Sequence, residues 1–307
     1  MNPSFSVVFL TTASGAGYGM LTWLGVLKAA GALPRSPWFG LSAIALALLL
    51  TIAGLLASTL HLGHPERAWR SLSQWRTSWL SREGVMAIVT FPPAGGFALA
   101  WLLVGAGAPV TIALGLAAAV CAVGTVFSQS MIYASLRPIR QWHQPAVPPN
   151  FLLLAMFSGA ACLTVVAGGA TVPAAIALTT GVAGLLGKLA YWRAIDRGTP
   201  VATLASATGL GFLGQVRSLE LPHTEENYLL REMGFAIARR HARRLRAIAA
   251  VLGFVLPLLL LGGALVGGGK VAAGAAAMAT LAGVYVERWL FFAEATHTVT
   301  LYYGRAA

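Results

Sequence analysis

The side chains best suited to chemistry in this chain are His61 and Glu83, which flank one arginine- and tryptophan-rich loop. An imidazole that titrates near neutrality and a carboxylate can bond the ring oxygens of a quinone. They can also exchange the two protons that accompany two electrons. A plainer reading of the same residues stays open. Glu83 follows Ser81 and would suit the positive N-terminus of a helix, and His61 could bond a loop carbonyl. Four further groups gather late in the chain: Glu287, Arg288, Glu294 and His297. Residues 287 and 294 are seven apart and share a helical face, so this set could form a proton path or pair internally.

These residues need helices to hold them at a membrane boundary. Eight apolar runs have spanning length, about 5–27, 41–60, 85–105, 109–131, 151–170, 173–192, 247–267 and 271–293. With 57% apolar and 10% charged residues, and a mean hydropathy of +0.75, the chain is an integral membrane protein rather than a water-soluble domain. Lipid leaves helices as the spanning form, and the short connections around 107–109, 171–173 and 267–270 predict antiparallel hairpins. The expected fold is all-α with eight transmembrane helices, forming one anchor domain over 1–307.

Charge sets the expected orientation. Of 21 Lys and Arg, only Lys28, Arg35 and Lys270 follow odd-numbered runs, and Lys188 and Arg288 lie inside runs. The other sixteen follow even-numbered runs or lie in the tail, which predicts cytoplasmic even loops and both termini inside. The +12 charge therefore reads as topology and lipid-headgroup contact, and nucleic-acid binding is not expected. No basic residue precedes the first apolar run, which is too long for a signal-peptide core, so span 1 is expected to be retained.

Cofactor chemistry within the chain itself has little support. Cys121 and Cys162 lie inside predicted spans without metal-ligand spacing, so no metal site is expected. Haem would need axial ligands in facing spans, and His61 with His297 is the sole conceivable pair. HLGH at 61–64 is not a zinc-protease motif. A secondary transporter is an alternative of another class, but the spans carry little polar equipment at mid-depth and the halves show no repeat.

The even connections hold the informative residues. The first carries Trp69, Trp75 and Trp79 among arginines, as an interfacial belt, a site wall or a docking patch. The third, about 193–246, is long. Its stretch Val201 to Val216 is apolar but short for a ninth span. Its last part, about 224–246, has a Thr224 cap, Glu225 and Glu226 in the first turn and arginines 239–246 toward its end. That pattern predicts an amphipathic helix that lies on the membrane or against a partner.

The segment STLHLGHPERAWRSLSQWRTSWLSREG, 58–84, resembles the signature of the DMSO reductase anchor subunit family, DmsC. The likeness runs from SVVFLTTASGAGYG to ERWLFFAEATH, almost the whole chain. It implies an eight-span inner-membrane anchor without a cofactor of its own. Such an anchor joins a molybdopterin catalytic subunit and a ferredoxin-like iron–sulfur subunit to ubiquinone or menaquinone. Carried over residue by residue, it makes His61 and Glu83 the quinone ligands. Beside them Arg67 and Arg82 would place positive charge near the ring or meet lipid headgroups, and Trp79 would wall the site or dock the iron–sulfur subunit. Arg288 would add positive charge near the ring. The cytoplasmic loop and the long 193–246 connection are similar to the sister branch of anchors of cytoplasm-facing sulfite dehydrogenase (SoeC). That branch implies electrons running from sulfite to quinone; the DMSO reductase branch implies the reverse, from menaquinol.

Overall fold

The computed structural model describes residues 3–60, 62–199, 202–220 and 241–303. Eight helices are long and apolar enough to cross a membrane: α1 (Phe5–Ala29), α2 (Pro37–Thr59), α3 (Trp79–Leu103), α4 (Pro109–Ala134), α5 (Val147–Val166), α6 (Thr171–Arg197), α7 (Ala242–Gly267) and α8 (Gly269–Ala293). No strand occurs among the described residues. Helix satisfies every backbone donor within its own segment, the condition that lipid imposes on a spanning run. Pro37 and Pro109 sit in first turns, where a missing N–H costs nothing.

α1 is the hub. In its apolar window 78% of residues are buried, against 33% for α2 and α3. It packs on α2, α4 and α5, and the contact with α5 is possible because both helices present glycine. A Cβ on Gly19 would collide with the Ala155 carbonyl, and one on Gly159 would collide with the backbone of Gly19 and Met20. Backbones this close pack tightly without a hydrophobic driving force between helices. α7 is interrupted at Val251–Val255 by a π-helical turn immediately before Leu256 and Pro257. A widened turn there relieves the clash between a proline ring and the preceding carbonyls.

Several boundaries differ from those read by hydropathy. α3 begins at Trp79 rather than near 85, because Ser78 caps it by accepting from the Ser81 N–H at 3.5 Å. Its polar first turn is invisible to an apolar window, so Glu83 lies within the helix rather than at its mouth. α7 begins at Ala242, so the end of the expected amphipathic helix is the start of the seventh span. Residues 221–240, with Thr224, Glu225 and Glu226, lie outside the described residues, and so does the rest of that expectation. No ninth spanning helix occurs among the described residues. Within 202–216 the chain forms the five-residue helix Leu204–Thr208 and a 3-10 turn, both without buried residues.

The ends of α4, α6 and α8 and the start of α7 are fastened together. The Trp142 indole donates to the Phe291 carbonyl at 2.9 Å, and the Tyr191 hydroxyl to the Gln141 carbonyl at 2.9 Å. Gln141 Nε2 donates to the Thr296 hydroxyl at 2.9 Å. Most of the polar residues considered below belong to this end of the bundle.

Candidate functional site

Glu83 occupies the second turn of α3 and is 8% exposed. Its Oε1 accepts from Gln129 Nε2 of α4 at 2.7 Å. Tyr18 of α1 and Tyr133 of α4 are within electrostatic reach of this carboxylate. A lone carboxyl at such depth is expensive, and a single amide bond offsets only part of the cost. The loop above is a 3-10 helix, Pro65–Gln74, with no buried residue of its own. It is pinned to α3 where the Ser81 hydroxyl donates to the Ser71 carbonyl, and Leu72 lies over Gly84.

His61 lies outside the described residues. Arg82 is turned to the loop: Nε donates to the Trp75 carbonyl at 3.0 Å, Nη2 to the Arg76 carbonyl at 2.6 Å, and the guanidinium stands 4.2 Å above the Trp79 ring. Trp79 in turn meets Phe127 edge-on at 5.9 Å. Arg67 is exposed, with its Nε 3.7 Å from Glu66. Glu83, Arg82 and Trp79 thus share one corner of the bundle, whereas Arg67 belongs to the exposed loop.

The late-chain residues form a separate, buried assembly. Glu287, 0% exposed, bonds Lys188 of α6 through Oε1 and the Arg288 Nε at 2.5 Å through Oε2. Arg288 stacks on Phe151 at 4.0 Å. Just beyond α8, Glu294 accepts from Arg246 Nε at 2.7 Å, and Arg246 also grips Asp196 with two bonds of 2.7 and 3.0 Å. Burial pushes the Glu294 carboxyl above the usual carboxylate range, with the Arg246 guanidinium pulling it the other way. The ion pairs thus form two sets, the exposed Asp196 with Arg246 and Glu294, and the buried triad of Lys188, Glu287 and Arg288. His297 packs its ring edge-on against Trp142 at 5.7 Å, in the loop that follows.

Sequence reasoning missed Gln129, Tyr18 and Tyr133 as neighbours of Glu83, and Lys188, Asp196 and Arg246 as members of the two ion-pair sets. Lys188 carried a usable signal, being a charge inside an apolar run. Arg246 did not, because it ends a row of arginines; its neighbours Arg243 and Arg244 are exposed while it turns inward.

The DMSO reductase anchor subunit (DmsC) family matches residues 1–304. The chain belongs to this family. Among its relatives is a sulfite dehydrogenase subunit of Allochromatium vinosum (strain ATCC 17899 / DSM 180 / NBRC 103801 / NCIMB 10441 / D), 36% identical over 328 aligned residues that cover 100% of both chains. As a DmsC-family member with eight apolar helices, the protein is a multi-pass membrane anchor. In this anchor the buried ionisable groups of α3, α6 and α8 gather at one end. Among the described residues, the exception among buried charges is at the other end, where Lys28 lies 4.3 Å over the Trp101 ring.

Proposed function

We propose that this chain anchors a molybdopterin/iron–sulfur oxidoreductase in the bacterial inner membrane and binds quinone at the corner built around Glu83. The observation that carries the reading is a carboxyl buried near the start of α3, with a single amide partner among the described residues, on α4, next to a connection rich in arginine. These residues fit a quinone. Glu83 keeps acceptor capacity beyond the Gln129 bond, and Trp79 and Phe127 offer aromatic walls. A bound quinone would supply a two-electron, two-proton couple. Glu83 would hold or release a proton at its carboxyl oxygen, and His61, from the loop, would serve the other ring oxygen. Arg82 and Arg288 add positive charge on two sides, and Arg67 does so from the exposed loop. Glu294 and His297 would carry protons toward the surface, with Glu287 and Arg288 as the fixed charges of that path.

The excess of basic residues in the even-numbered connections supports a cytoplasmic position for this end. The full-length likeness to a sulfite dehydrogenase subunit supports electron flow from sulfite, through molybdenum and iron–sulfur partner subunits, to quinone. The family's name keeps a DMSO reductase-type partner, fed by menaquinol, as the second reading. Exposed Trp69 and Trp75, each with an arginine on its ring (Arg70 at 5.6 Å, Arg76 at 5.4 Å), would meet the iron–sulfur subunit or the headgroups. Sealed inverted membrane vesicles test this reading when the protein is isolated through a tag after brief protease treatment. Molybdenum and iron should copurify from untreated vesicles and be stripped by protease, because the partners face outward. Isolation with neither metal would favour a transporter; metals resistant to protease would put the partners on the periplasmic side.

A further inference from the structure

Gln129 also lines a small cavity between α1, α4, α5 and α8, with about 10 Å³ open to the centre of a water molecule. That is room for about one water, which a site needs polar partners to hold. The cavity's wall is apolar for the most part and includes Gly15, but five polar side chains face it: Thr11, Thr12, Gln129, Ser158 and Arg288. Arg288 is 2% exposed, and its Nη2 is buried with no hydrogen-bond partner among the described residues. The hydroxyls opposite have their protons committed. Thr11 donates to the Val7 and Val8 carbonyls, Thr12 to Val8, and Ser158 to Leu154 at 2.7 Å. They offer lone pairs to the chamber, as does the Gln129 carbonyl oxygen, whose amide nitrogen is spent on Glu83. One strong donor facing several acceptors suits water, which can accept from the first and donate to the others. An anion would meet the lone pairs and is disfavoured.

We propose that water in this chamber bridges Arg288 Nη2 to Gln129 Oε1 and so fixes the amide that holds Glu83. Arg288 and Gln129 are then positioning residues for the carboxyl. Every bond runs in one direction: guanidinium N–H to water oxygen, water O–H to amide oxygen, amide N–H to carboxylate. Aligned chains of this kind polarise one another, and this one begins at a buried triad holding two cations and one anion. The triad's excess positive charge thereby reaches a carboxylate on another helix, through an uncharged amide. Without the water, the Gln129 amide would be held from one side only, by its bond to Glu83.

The role of Glu83 in this inference rests on the quinone reading; the water site does not. The test compares Gly15→Ala and Gly15→Val in the complete complex. A Cβ at Gly15 meets only the Ala155 Cβ at 3.9 Å, so alanine fits, while the branched valine reaches into the chamber. Infrared spectroscopy reads the O–H band of weakly bonded internal water, identified by its shift in H₂¹⁸O. Gly15→Ala should keep the band and full turnover. Gly15→Val should lose the band and about tenfold in kcat, the worth of one hydrogen bond, with quinone affinity unchanged within about twofold. A band retained in Gly15→Val, or lost without any change in kcat, would overturn the proposal. Normal turnover in Glu83→Gln would instead overturn the quinone reading, leaving the water assignment to the infrared result.

Discussion

Glu83→Gln is expected to lower quinone-linked turnover by at least about 100-fold while the assembled complex is recovered in normal yield. The substitution is nearly isosteric, and the new amide oxygen can still accept from Gln129 Nε2, so the packing between α3 and α4 survives. What is lost is a group able to take and give a proton at that point. His61→Ala should have an effect of the same order, since the two side chains flank one loop and would serve one ring. The measurement is steady-state quinone reduction by the purified complex, beside electron transfer to an artificial acceptor that takes electrons from the partner subunits directly. The artificial reaction should be unaffected. Normal quinone reduction in either variant would mean that the carboxyl and imidazole serve structure alone, as the helix-terminus reading of Glu83 allows.

The second large effect concerns stability. Among the described residues Glu287 is the sole anion bonded directly to Lys188 and Arg288, and all three are almost fully buried. Removing it with Glu287→Leu leaves two cations at membrane depth without their bonded counter-charge. Breaking a buried ion pair from one side costs about 3–5 kcal/mol, so this variant should be recovered poorly or unfold well below the parent temperature. Lys188→Met removes the surplus cation and leaves a one-to-one pair, so its cost should be clearly smaller. Thermal unfolding in detergent compares them directly. Equal losses in the two variants would contradict the triad's charge accounting, and a stable Glu287→Leu would remove the triad from the structural framework.

The same residues show what sequence could and could not convey. Eight spans were legible because lipid demands long, continuous apolar runs, and each became a helix within a few residues of its expected limits. The first turn of α3 was not, because Ser78, Ser81, Arg82 and Glu83 lower the local hydropathy while a serine cap and loop contacts sustain the helix. That offset moved Glu83 from the mouth of a span to a buried position. Gln129 escaped notice because an uncharged amide among Ser128 and Ser130 at a helix end resembles any polar terminus. Its role depends on α3 and α4 being neighbours, which spacing along the chain does not disclose. Glu287 and Arg288 were visible as charges in span 8. Their partner Lys188 lies 99 positions earlier, and only the packing of α6 against the end of α8 joins them.

The central claim is that quinone binds beside Glu83 at the basic end of the bundle. It is tested most directly by a photoreactive quinone analogue, cross-linked to the complex in native membranes and located by peptide mapping. Label on the peptides carrying His61 to Glu83, and on α4 near Phe127 and Gln129, with displacement by excess unlabelled quinone, is the predicted result. Displaceable label confined to the opposite end of the bundle near Lys28 and Trp101, or found solely on the partner subunits, would contradict the account.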